Sequence, residues 1–208
     1  MTTTKKPIIV IGSGGHAQVL IEILQERKDQ IIGVLSDSLT VGAEFMGLPI
    51  IGNDDQISKY SQEEIHLVNG VGSLPGNTRR RDISEFMSGQ GYIFASVIHS
   101  KSIVSSSALL GEGVQIMSGS VVQANVKIGS NSIINTGAII DHDCVIGDNC
   151  HIGPGAVLSG GVALGNETHV GTGASIIQNL KIGTNVVIAS GSAVFRDVDS
   201  GTKFIQKK

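Results

Sequence analysis

The chain has 208 residues, enough for one or two domains, with aromatic residues at only 3% and no tryptophan. Its formal net charge is −3 with no basic stripe, so the electrostatic footprint of a nucleic-acid partner is missing. The longest apolar runs fall far short of a bilayer span and residues 1–6 carry no apolar signal core, so the expectation is a soluble cytoplasmic protein without a membrane partner.

Residues 1–95 read as alternating strand and helix. Pro7–Ile11 is an apolar, β-branched strand, and Gly12-Ser13-Gly14-Gly15-His16 follows it directly. Ala17 to Gln25 carries helical spacing through Val19, Leu20, Ile23 and Leu24. Ile31–Leu35 is a second strand ending at Ser36-Asp37, and Leu48–Ile51 and His66–Val71 look like further strands. Arg79–Met87 reads as a helix with Asn77 or Thr78 as its cap. Strand, glycine turn, helix, strand is the phosphate-binding half of a doubly wound sheet. Gly12, Gly14 and Ala17 fit G-x-G-x-x-A, yet about 95 residues is short for both halves of a dinucleotide fold. A mononucleotide, or the diphosphate of a nucleotide sugar on the helix N-terminus, suits the length better; a plain tight turn is the simpler alternative. Asp37 can take a ribose or base contact or cap a turn. Arg79, Arg80 and Arg81 read most simply as a solvated helix face, with phosphate binding as the lesser alternative.

From Ile98 to Val194 every sixth residue is Ile, Leu or Val, seventeen times in succession. Neither the helix period nor strand alternation produces a strict six, so this is a repeat architecture, a parallel β-helix with each aliphatic knob on the axis. With the knob as position one, position four from Gly113 to Asp197 is Gly, Asn or Asp at all but Glu167. These residues best tolerate a left-handed backbone, which predicts the bends. Position five is mostly small and predicted to lie inside each corner, as for Cys144 and Cys150, which therefore read as core thiols. Aliphatic-Gly openings recur every eighteen residues, so three hexads make one turn and the section is triangular. Residues eighteen apart then stack about 4.8 Å apart. Spacing alone leaves the handedness open.

The same ruler sorts the histidines. His142 precedes the corner residue Asp143 and follows Asp141; a carboxylate beside an imidazole is the usual arrangement of a general base, and outward polar residues are also what any corner uses. His151 and His169 stack in successive turns at an outward position, and no third ligand at matching spacing makes them a metal site. His66 and His99 read as structural. His142 falls at a corner and His151 on the side across the triangle, so one small site cannot hold both within a chain. If both serve one reaction they come from different subunits, and a three-sided prism favours a homotrimer.

The hexads, together with Asn135-Thr136-Gly137-Ala138-Ile139-Ile140-Asp141-His142-Asp143-Cys144-Val145-Ile146-Gly147 and the turn Gly12-Ser13-Gly14-Gly15-His16, resemble the sugar O-acyltransferase family of left-handed β-helix proteins. That family includes sialic-acid O-acetyltransferases and N-acetyltransferases of UDP-4-amino sugars. The resemblance implies an α/β Rossmann-like half domain over 1–95, a left-handed hexapeptide-repeat β-helix over 96–199 and a C-terminal tail over 200–208. It implies that His142 is the general base and Asp143 the acidic residue that raises its basicity. It places His151, Gly160, Thr172 and Ser190 at acetyl-CoA, and Gly14, Gly15, His16, Asp37 and Gly72 at the sugar nucleotide. Members are commonly trimers with sites between subunits. The chain departs from the family in its C-terminal segment, which lacks a Gly-Val-Pro-Ala-Lys-like ending, and at Ser36, where some relatives carry an acid.

The expected function is acetyl transfer from acetyl-CoA to the amine of a UDP-amino sugar, directly, with no metal and no covalent enzyme intermediate. O-acetylation of a sialic acid is the near alternative. A non-catalytic nucleotide-sugar-binding scaffold and a dinucleotide-dependent oxidoreductase are the readings from other classes.

Overall fold

The computed structural model describes residues 6–205. The chain divides into two compact units, Met1–Val97 and Ile98–Lys208. No helix among the described residues is long and apolar enough to cross a membrane.

The first unit is built on strands β1 (Ile8–Ile11), β2 (Ile31–Leu35), β3 (Glu44–Phe45), β4 (Leu48–Gly52) and β5 (His66–Asn69), in the order β3-β4-β2-β1-β5. All neighbours are parallel except β3 with β4. Central β1 is buried along its whole length, as expected of a continuous apolar run with both faces covered. Helix α1 (Gly15–Glu26) buries Ala17, Leu20, Ile21 and Leu24, which are spaced for one helical face. Helix α2 (Arg79–Gly89) starts where the Asn77 carboxamide oxygen accepts the Arg79 N–H at 3.0 Å. A 3₁₀ turn over Asp54–Lys59 and the short β3 carry no periodic signal in the sequence. The chain lays β2 and β4 on one side of β1 and then crosses to place β5 on the other. The strand order therefore reverses between β1 and β5, and doubly wound sheets bind their ligands outside the carboxyl ends of the strands at such a reversal.

The second unit is a left-handed parallel β-solenoid whose two-residue strands form faces of six, five and seven strands. Successive strands pair at a separation of eighteen residues, as Ile140 does with Leu158 and Ile152 with Val170. Every knob from Ile116 to Val194 is buried, while the first three, Ile98, Val104 and Leu110, pack half-buried against the same core. Each such burial is worth about 1.5–3 kcal/mol against an exposed side chain, so the stack of knobs is the main support of the prism. Position four has positive φ at every hexad from Gly113 to Asn185 and Gly191, including Glu167 at φ 59°.

Asp197 departs from that pattern. The last turn is two residues short: Ile182 pairs with Val198 and Val187 with Lys203, sixteen residues on. The lost residues come out of this corner, and the Asp197 carboxylate instead accepts the Lys181 N–H at 2.8 Å. Residues read as the start of a tail supply a seventh strand, Lys203–Phe204, on the seven-stranded face. The remaining residues of that segment, 206–208, lie outside the described residues.

Candidate active site

His142 stands at the corner between the six- and five-stranded faces, in the turn that joins Ile139–Ile140 to Val145–Ile146. Asp143 takes the left-handed conformation there, φ 59°, which aims its carboxylate back along the corner. Asp143 Oδ2 accepts from His142 Nδ1 at 2.8 Å, and Asp143 Oδ1 accepts from the Asn125 amide at 3.2 Å, one turn earlier. The hydrogen bond to Asp143, then the charge of Asp141, raises the His142 pKa above its ordinary value. The Asp143 pKa is correspondingly lowered, by its bonds to His142 and Asn125. With Nδ1 donating to a carboxylate, Nε2 carries the lone pair of the neutral ring. Both side chains are exposed, 62% and 59%, so the pair holds a reactive nitrogen in solvent reach and contributes little to folding.

Gly160 lies one turn on, directly against this ring. A Cβ there would sit 2.6 Å from His142 Cε1 and 2.7 Å from Nε2. Its backbone is ordinary, so the glycine is demanded by the imidazole alone. His142, Asp143 and Gly160 therefore form one cluster.

The other residues assigned to acetyl-CoA stand elsewhere on the prism. Thr172 and Ser190 occupy the corner between the seven- and six-stranded faces, one turn apart, with the Gly191 N–H on the Thr172 carbonyl at 2.9 Å. His151 lies on the seven-stranded face, across the section from His142. Its Nε2 is 3.0 Å from the Asn135 amide nitrogen, and the His169 ring meets it edge-on with centroids 4.7 Å apart. Burial lowers the His169 pKa below its ordinary value. Among the described residues no group of three or more His, Cys, Asp or Glu is arranged to hold a metal. Cys144 and Cys150 are buried, and burial pushes the Cys150 thiol up to about 12, which makes it an inert core group. His99 is structural, its Nδ1 accepting the Lys101 N–H at 2.9 Å.

In the first unit the glycines of the turn have different jobs. Gly12 has φ +95° and would crowd Gly70 and Val71, so the chain itself requires it. Gly14, the N-cap of α1, has an ordinary φ of −98°, and neither it nor Gly15 has any atom within 4 Å of an added Cβ. Ala17 is small because Gly70 packs on it; a Cβ at Gly70 would lie 2.7 Å from that of Ala17. Gly72 faces His16, whose Cβ lies 3.9 Å from the Cβ site of that glycine. The turn, His16 and the Gly70–Gly72 segment thus meet beyond the carboxyl ends of β1 and β5.

The arginines correct the reading of a solvated helix face. Arg80 is buried at 6% exposure and donates to the carbonyls of Asn69 and Val71, both at 2.8 Å. Burial lowers its pKa to about 9, still charged at neutral pH, and the pair of bonds pins the segment after β5. Arg79 binds the Asp37 carboxylate and lies 3.6 Å from Asp54. The sequence offers no sign of these partners, because nothing periodic links α2 to the ends of β2 and β5. Neither Asn125 nor Asn135 carries a local signal in the sequence for its contact with Asp143 or His151. Asn125 is the corner residue eighteen before Asp143, so the superperiod is the signal that finds it.

Two family models match the chain: "PglD N-terminal domain" over residues 7–86, and "Bacterial transferase hexapeptide (six repeats)" over residues 107–142 and 134–160. A UDP-N-acetylbacillosamine N-acetyltransferase of Bacillus subtilis is 36% identical over 118 residues, 54% of this chain and 52% of the relative. The chain thus matches about half the length of that curated relative. A histidine-to-asparagine variant of perosamine N-acetyltransferase from Caulobacter crescentus, solved with CoA and GDP-perosamine, is 32% identical with a TM-score of 0.87, covering 94% of this chain and 91% of that one. The acetyltransferase domain of PglB from Neisseria gonorrhoeae, solved with acetyl coenzyme A, is 33% identical with a TM-score of 0.86, covering 96% of both chains. The chain belongs to the hexapeptide-repeat sugar acetyltransferase family.

Proposed function

We propose that this protein is an acetyl-CoA-dependent N-acetyltransferase acting on the amine of a nucleotide-linked amino sugar. The observation that carries the reading is the His142–Asp143 pair, with the ring held over Gly160 and its Nε2 as acceptor. The relatives that bind CoA together with GDP-perosamine, or acetyl coenzyme A, support the substrate class. His142 Nε2 takes a proton from the amine as its nitrogen attacks the thioester carbonyl. Asp143 stabilises the resulting imidazolium, which then protonates the departing thiolate of CoA. The products are an acetamido sugar and free CoA, with no enzyme residue acylated. Gly14, Gly15, His16, Asp37 and Gly72 hold the nucleotide part, and His151, Thr172 and Ser190 hold acetyl-CoA.

Since His142 and His151 lie across one prism, the active assembly is a homotrimer in which each site takes His142 from one subunit and His151 from another. Thiol release should follow mixing of the protein with acetyl-CoA and a UDP- or GDP-linked 4-amino sugar. Turnover with the 4-hydroxy counterpart alone would shift the assignment to O-acetylation, and absence of turnover with either would leave a binding scaffold. Mixed trimers of His142→Ala and His151→Ala chains should regain activity, because some interfaces again hold both histidines. Full activity in a sedimenting monomer would overturn the shared site.

A further inference from the structure

Three serine hydroxyls meet where β1 and β2 end. Ser13 Oγ lies 2.6 Å from Ser36 Oγ and 3.3 Å from Ser38 Oγ, and Ser36 Oγ lies 3.3 Å from Ser38 Oγ. Ser36 is 4% exposed and lines a cleft of about 670 Å³ at the carboxyl ends of β2 and β4. The backbone sets the direction of the protons. Ser36 Oγ accepts the N–H of Ser38 at 3.2 Å and that of Leu39 at 3.1 Å. A hydroxyl has two acceptor lone pairs and one proton, so Ser36 has only its proton left to give. The short contact to Ser13 takes it. Ser13 Oγ is then an acceptor on its inner side and must send its own proton outward. At 3.3 Å, Ser38 is a poor acceptor for an O–H donor, so a better one on a bound ligand would win.

We propose that Ser36 is a positioning residue that orders Ser13 as a hydrogen-bond donor to a phosphate oxygen of a nucleoside diphosphate lying across the Gly14–Gly15 backbone. The inference rests on the nucleotide-sugar reading above and assigns residues which that reading leaves out. A second observation points the same way. Neither Gly14 nor Gly15 is required by backbone conformation or by a neighbouring atom, and without side chains they leave the backbone N–H groups at the start of α1 open to close approach. The polarity of the group is also specific. Where a doubly wound sheet grips a ribose hydroxyl it ends its second strand in a carboxylate, which accepts hydrogen bonds. Here that place is held by a serine whose accepting capacity is already filled, and Ser13 beside it is left as a donor. A donor selects an acceptor, and a phosphate oxygen is the strongest one a sugar nucleotide carries.

Calorimetric titration of UDP and GDP into the full-length protein tests this. Ser13→Ala should weaken the diphosphates that bind the native protein by about 10–100-fold, the worth of one hydrogen bond to a charged group. Ser13→Thr keeps the hydroxyl and should restore most of the loss. Ser36→Ala should cost about threefold, because the donor survives without its ordering. In kinetics the acceptor KM should rise in Ser13→Ala while kcat and the acetyl-CoA KM stay put. Native-like affinity in Ser13→Ala, or equal weakness in Ser13→Ala and Ser13→Thr, would overturn the donor role, and native affinity in Ser36→Ala would overturn its ordering by Ser36. If the native protein binds acetyl-CoA but neither diphosphate, the nucleotide-sugar reading itself fails and takes this inference with it.

Discussion

In the β-helix almost every glycine is accounted for by the chain, whereas beyond the ends of β1 and β5 in the first unit several are not. Corner glycines such as Gly161 have positive φ, and those at position two, such as Gly129 and Gly171, would run a Cβ into the backbone of the next turn. Gly160 is the exception in the β-helix, since only the His142 side chain stands in its way. In the first unit Gly12 and Gly70 are equally constrained, but Gly14, Gly15 and Gly72 have no crowded neighbour and no left-handed backbone. Gly89, at the exposed end of α2, is the other of this kind. A glycine demanded by the fold marks a bend or a close packing. One that the fold leaves unexplained, as Gly89 also is, is a candidate for close approach only where other observations point there, as the His142 ring does at Gly160.

The sharpest separation of fold from chemistry is at the corner of His142. His142→Ala should lower kcat by about 10²–10⁴-fold with an unchanged melting temperature, since the side chain is exposed and its bond to Asp143 is in solvent. Asp143→Asn should come close to the same loss. Asn keeps the left-handed corner, and its oxygen stays on Asn125, which turns the amide N–H₂ toward His142 Nδ1. The ring proton then moves to Nε2, and the base has lost its lone pair. The pH profile gives the sign. His142 works as the neutral ring, so the rate rises through its pKa, which Asp143 raises above the usual value. Without that charge the ascending limb moves to lower pH. An unmoved limb in Asp143→Asn would reduce Asp143 to a turn residue.

The two kinds of glycine can be set against each other one corner residue apart. Gly160→Ala should keep the fold and lower kcat by about 10–100-fold, because the imidazole must move by the better part of an ångström. Gly161→Ala should do the reverse, costing about 1–2 kcal/mol of stability through its φ of +71° while the chemistry survives. Thermal melting and single-turnover rates on both variants check the pair. A folding defect in Gly160→Ala would remove its link to His142.

A similar contrast holds in the first unit. Gly14→Val puts its side chain into open space on an extended backbone, so the unit should fold normally. The acceptor KM should rise about tenfold, the value of one lost bond to a charged ligand, with the acetyl-CoA KM unchanged. Equal rises in both KM values would argue against a separate nucleotide crevice.

The repeat was legible almost residue by residue, since each hexad restates the same geometry and errors average out. Knob, corner and superperiod all follow from composition at fixed spacing, and only Asp197 breaks ranks, where the pairing shortens from eighteen residues to sixteen. The first unit was legible as elements but not as contacts. Its strands and helices announce themselves through apolar spacing, yet Arg80 looked solvated because three successive arginines carry no mark of which one turns inward. The site divides the same way. His142 beside Asp143 is local in sequence and could be seen; the Ser13–Ser36 contact joins the ends of two strands and depends on the β1–β2 register, which no local pattern specifies.

The smallest expected effect tests whether the β-helix is as rule-bound as it looks. Glu167 holds a left-handed corner, φ 59°, that its counterparts Asn131, Asn149 and Asn185 hold with asparagine. A left-handed conformation costs an ordinary L-residue roughly 1–2 kcal/mol, and asparagine less because its short side chain bonds locally. Glycine would relieve the strain too, but it gains disorder in the unfolded chain and returns part of the benefit. Glu167→Asn should therefore stabilise the protein by about 0.5 kcal/mol, a rise of roughly 1–2 °C in the melting temperature for a chain of this size. Glu167 has interactions of its own, which hold the gain below the full conformational cost. A lower melting temperature would mean that those contacts outweigh the strain, and that this corner was kept acidic for a reason other than its bend.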